Sequence, residues 1–60
     1  MNELEQRVRD YLTASGVAVT VFCRAVNLSR THLYGWLDGD RQLSNKAAQR
    51  ISNYLTQFNF

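Results

Sequence analysis

The sequence has no proline, one cysteine (Cys23), one histidine (His32) and only three glycines. One cysteine excludes an internal disulfide, and a lone cysteine with a lone histidine cannot supply the several ligands of a zinc site. Redox scaffolds and metal fingers are therefore excluded, and no cofactor is expected. Long hydrophobic runs are missing too. The longest uncharged stretch, residues 11–23, is interrupted by Thr13, Ser15, Gly16 and Thr20 and is too short to span a bilayer. Met1 is followed by Asn2, Glu3 and Glu5, not by the basic residues and apolar core of a signal peptide. A soluble, cytoplasmic protein without a membrane partner is the expectation.

What is present fits one small domain over residues 1–60. The chain is 45% apolar and 20% charged, ordinary for a globular protein and unlike a disordered one. A domain of this size buries only about 60% of its unfolded surface, so a partner subunit would help to stabilise it. The net charge of +2 permits nucleic-acid binding without compelling it. The distribution says more than the sum. Four of the five acids are Glu3, Glu5, Asp38 and Asp40, whereas Arg24, Arg30, Arg41, Lys46 and Arg50 run through the middle and the last helix. A polarised surface follows.

Asn2 with Glu5 three positions later is a capping-box-like start, and Leu4, Val8, Tyr11 and Leu12 then recur at spacings of three and four. A first helix is expected over residues 3–14, ended by Ser15-Gly16. In "VAVTVFCRAVN" Val17, Val19 and Val21 alternate as in a strand while Phe22, Cys23 and Val26 recur as in a helix. No second strand candidate exists to pair with, so a helix is expected over residues 20–26. Asn27, which tolerates positive φ, ends it. Ser29 caps a third helix over residues 30–37, with Leu33, Trp36 and Leu37 inward, and Asp38-Gly39 stops it. Ser44 caps a fourth, with Ala47, Ala48, Ile51 and Leu55 on one side. The fold class is all-α.

Two short helices joined by a turn of three or four residues make a helix-turn-helix, here over about residues 20–37, whose second helix is offered to the DNA major groove. Such a helix needs apolar residues behind it and hydrogen-bonding side chains at its exposed N-terminal end. "FCRAVNLSRTHLYGWLDG" supplies both, and it resembles the helix-turn-helix of the Cro and lambda-type repressor family. Cys23 matches the family's small crossing residue and Asn27 its turn residue, usually Gly. Leu28, Leu33 and Trp36 match its hydrophobic positions, with Phe22 and Val26 on the inner face. "LDGDRQLSNKAAQRISNYL" is similar to the family's following loop and helix, so the resemblance covers about residues 17–55. It implies a four-helix lambda-repressor-like domain. Ala18 and Val19 depart from the family's capping Thr or Ser and phosphate-binding Gln, and the family's fifth helix or terminal strands are missing.

Arg30, Thr31 and Tyr34 share the outward face of the presumed recognition helix and are candidates for base contact, Arg through guanine O6 and N7 and Thr through a base edge or a thymine methyl. Arg41 is a further candidate base contact. The resemblance implies backbone contacts from Thr20, Ser29, Ser44, Asn45 and Lys46, with His32 as a phosphate contact or a surface residue. Arg24 and Arg50 are weaker candidates, balanced against solvated surface. Gly35, unfavourable within a helix, implies close approach to DNA or to another helix. Tyr54, Phe58 and Phe60 form either a homodimer seam, the reading preferred here, or a tail packed over the first helix. The implied function is a Cro-type repressor of phage or bacterial origin, binding a palindromic operator as a homodimer, with no small-molecule ligand. The alternative is a protein-interaction module that binds a toxin or a polymerase subunit. An enzyme is disfavoured, since the chain has no nucleophile-base pair, metal cluster or phosphate loop.

Overall fold

Four helices carry residues 3–60, the part of the chain that the computed structural model describes: α1 (Glu3–Ser15), α2 (Val19–Ala25), α3 (Arg30–Leu37) and α4 (Asn45–Gln57). No described residue is in a strand. The all-α class expected from periodicity is the class observed, whereas the expected capping role of Asn2 lies outside the described residues. None of these helices is long and apolar enough to cross a membrane.

Local chemistry explains most of the boundaries. Glu3 and Glu5 place negative charge in the first turn of α1, where the helix dipole favours it. Gly16 leaves α1 at φ +68°, a conformation open to glycine at little cost. The ambiguous valine-rich segment is a helix, but it starts and stops one residue earlier than expected. Its N-cap, Ala18, has no side-chain bond to give. At the C-terminus of α2, Asn27 adopts φ +56°, its N–H donates to the Arg24 carbonyl (3.3 Å), and that of Leu28 donates to the Cys23 carbonyl (2.9 Å). This is a Schellman motif with Asn in the left-handed position. The same pattern closes α3, where Gly39 (φ +88°) bonds to the Trp36 carbonyl and Asp40 to the Gly35 carbonyl. It recurs at the end of α4, where Asn59 (φ +63°) bonds to the Thr56 carbonyl and Phe60 to the Leu55 carbonyl.

α1 packs against α4, and α2 against α3. Phe22, Leu33, Ile51, Leu55, Val8 and Val26 are fully buried at the centre, so every helix contributes to one core. Tyr11 joins it to the C-terminal tail: its ring lies 5.8 Å from Phe22, 5.4 Å from Tyr54, and 5.5 Å from both Phe58 and Phe60. The Tyr11 and Tyr54 hydroxyls share a 2.7 Å hydrogen bond. That bond, then burial and the neighbouring Tyr11, push the Tyr54 phenol up to about 12.

Three arginines brace this arrangement through backbone carbonyls. Arg9 donates to the Leu37 carbonyl at the end of α3 (2.9 Å), and Arg7 to that of Phe60 (2.6 Å). Arg50 reaches from α4 to the turn after α2, donating to the carbonyls of Val26 (3.0 Å) and Asn27 (3.4 Å). It is thus committed to the protein's own backbone and is neither a free cation nor simple solvated surface. Cations at helix C-termini complement the dipole and the unpaired carbonyls there. Arg50→Ala should therefore lower stability by about 1–2 kcal/mol, as read from urea denaturation. Lys, with no planar fork, should restore only part of that.

Candidate nucleic-acid interface

α3 begins at a well-made cap. The Ser29 Oγ accepts from the His32 N–H at 3.1 Å, which leaves its own O–H proton free to donate outward. Behind the cap Leu33 and Trp36 are buried, and this fixes which side of α3 faces out. That side carries Arg30, Thr31 and Tyr34, all exposed, with Tyr34 47% accessible. The three base-contact candidates of α3 thus lie together on one open face. Beneath them, burial raises the pKa of the Cys23 thiol against the opposing pull of the Arg30 charge. A buried thiol shielded in this way is a packing residue.

The loop of residues 38–44 runs beside this face. His32 faces it across the Nε2 to Gln42 carbonyl contact of 3.3 Å and so ties α3 to the loop while half-buried. Ser44 accepts from the Ala47 N–H at 3.2 Å and opens α4, whose first turn exposes Asn45 and Lys46. Thr20, exposed in the first turn of α2, has no side-chain partner among the described residues. Arg41 packs against Gly35, so that glycine's close neighbour is a loop side chain and not another helix.

Cations divide into two groups. Arg7, Arg9 and Arg50 are hydrogen-bonded to the protein's own backbone. Arg24, Arg30, Arg41 and Lys46 make no side-chain hydrogen bond or ion pair with any described residue. All four of the latter belong to α2, α3, the loop that follows it and the start of α4. Sequence reasoning missed the braces because nothing local marks an arginine whose carbonyl partner is 24 to 53 positions away.

The aromatic residues at the C-terminal end have both an internal role and an exposed edge. Tyr54 is half-buried against Tyr11 and Phe22, and Phe58 and Phe60 fold back over Tyr11 while remaining 46% and 37% exposed. The packed tail is present, and part of its apolar surface stays accessible. In α2, Val21 is also exposed, at 54%. No family model, curated protein or solved structure matches this chain.

Proposed function

We propose that this protein is a non-enzymatic, sequence-specific regulator that binds double-stranded DNA through α3, in the manner of a Cro-type repressor acting as a homodimer on a palindromic operator. The observation that carries the reading is the partition of cations. Those with no hydrogen-bonding or ionic partner among the described residues lie on α2, α3, the loop after it and the first turn of α4, and α3 carries an open face bearing Arg30, Thr31 and Tyr34. In the bound state Arg30, Thr31, Tyr34 and Arg41 face base edges. Ser29, Ser44, Asn45, Lys46 and Thr20 hold the phosphate backbone, through hydroxyl and amide donors and the Lys46 charge. The exposed edges of Phe58 and Phe60, next to Tyr54, form the dimer seam, and two half-sites about one helical turn apart follow from it.

The test is selection from a pool of random duplexes at physiological salt, followed by sequencing. Wild type should enrich a palindrome. Arg30→Ala should weaken binding by about 1–3 kcal/mol and relax the preference at one position of each half-site. Absence of any enriched sequence would refute the reading.

The exposed Val21, Phe58 and Phe60 favour a second reading, a module that binds another protein such as a toxin or polymerase subunit. Titration with duplex DNA separates the two, because a DNA binder neutralising several phosphates weakens steeply as salt rises, whereas a protein-only adaptor has little affinity for duplex at any salt.

A further inference from the structure

Gly35 sits in the interior of α3, where glycine is the poorest helix former after proline. Its φ is not positive, unlike those of Gly16 and Gly39, so the backbone does not require glycine there. The requirement comes from a neighbour. A Cβ at position 35 would lie 2.7 Å from Arg41 Cδ, 3.0 Å from Cγ and 3.2 Å from Nε. The start of the loop is fixed to the same residue, since the Gly35 carbonyl accepts from the backbone N–H groups of Asp40 (2.8 Å) and Arg41 (3.2 Å). Both the backbone and the side-chain stem of Arg41 are therefore held against one turn of α3.

That turn is the one that reads outward. Gly35 follows Thr31 by four residues and so lies along α3 from it, on the side opposite the buried Leu33 and half-buried at the edge of the open face. The guanidinium has no partner among the described residues, and all its donors are available in a fork suited to the paired acceptors of guanine. Arg41 also lines an open cleft of about 440 Å³, together with Glu5, Trp36 and Leu43, which has room to receive a displaced side chain.

We propose that Gly35 is a seat for Arg41, and that the seated Arg41 determines specificity at a base pair adjoining those read by Arg30 and Thr31. The seat is a property of the free protein, and the reading role rests on the DNA-binding function proposed above. Gly35 is a positioning residue, acting only through Arg41. A methyl group at position 35 pushes the stem away from α3 toward the cleft and leaves the helix no weaker.

Four proteins test this: wild type, Gly35→Ala, Arg41→Ala and the double variant. In the free proteins, NMR should give an Overhauser contact between the Arg41 δ and Gly35 α protons in wild type. The Gly35→Ala variant should lose the corresponding contact at position 35 while its thermal midpoint stays at or above that of wild type. Selection from the random duplex pool should then show Arg41→Ala losing about tenfold preference at one base pair of each half-site. Gly35→Ala should lose preference at that same base pair, and the double variant should be no worse than Arg41→Ala alone. A Gly35→Ala penalty that persists in full without Arg41 overturns the proposal, as does wild-type selectivity in Gly35→Ala. An absent Overhauser contact in wild type removes the seat itself. If wild type binds no duplex in a salt-dependent way, the proposed function and the reading role fall together, and the NMR contact alone decides the seat.

Discussion

Phe22→Ala should leave most of the protein unfolded at 37 °C. The Phe22 side chain is fully buried, and its ring packs on Tyr11 of α1 and Tyr54 of α4. It is therefore the anchor by which a seven-residue helix is held to the other half of the molecule. A helix that short has no stability of its own in water. Truncating a buried Phe to Ala costs about 3–5 kcal/mol, and a 60-residue domain has only about 3–9 kcal/mol in total at the usual stability per residue. The loss is of the same size as the whole. Thermal unfolding followed by far-ultraviolet circular dichroism measures it directly, with Phe22→Leu as the milder companion. Val21→Ala, one residue earlier but 54% exposed, should shift stability by no more than about 0.5 kcal/mol. If these neighbours behaved alike, the core would not be centred on Phe22.

The contrast between Val21 and Phe22 also shows which features the sequence makes legible. Periodicity at spacings of three and four places Leu4, Val8, Tyr11, Leu12, Leu33, Trp36, Leu37, Ala47, Ala48, Ile51 and Leu55 inward. Val8, Tyr11, Leu33, Trp36, Ala47, Ile51 and Leu55 are buried, whereas Leu4, Leu12, Leu37 and Ala48 are only half-buried. Caps were readable because they act within three or four residues: Ser29 and Ser44 each bond to an amide three positions on, and Asn27 takes the positive φ that its place after a helix implies. α2 was harder. Valine alternation mimics a strand, and Ala18 gives no capping signal, so the helix was placed one residue late. What the sequence hid was long-range. The carbonyl partners of Arg7, Arg9 and Arg50, and the loop side chain that fills the space beside Gly35, are set by how the helices pack and not by any local pattern. The open face of α3 was legible from spacing alone. Which cations remain free to serve it was not.

That partition of cations turns the proposed DNA binding into a quantitative prediction about salt dependence. Each phosphate neutralised by Lys or Arg contributes about 0.9 to the slope of log affinity against log salt. Arg24, Arg30, Arg41 and Lys46, the cations without a hydrogen-bonding or ionic partner among the described residues, set an upper limit of about 3.6 per protomer, reached only if Arg30 and Arg41 neutralise phosphates besides facing bases. Raising salt from 50 to 200 mM should then weaken binding by up to about a hundredfold for one protomer and about 10⁴-fold for two acting together. Fluorescence anisotropy across that range thus gives the total number of phosphates neutralised, and a slope above about 3.6 requires more than one protomer on the DNA. Lys46→Ala or Arg24→Ala should each lower the slope by up to about 0.9 per protomer. Arg50→Ala should behave differently: its guanidinium is held by the Val26 and Asn27 carbonyls, so it should reduce affinity only through lost stability and leave the slope unchanged. A slope that fell equally for Arg50→Ala would mean that this arginine leaves its carbonyls for a phosphate when DNA binds. The turn between α2 and α3 would then loosen at the moment of recognition, and α3 could no longer be treated as a preformed element.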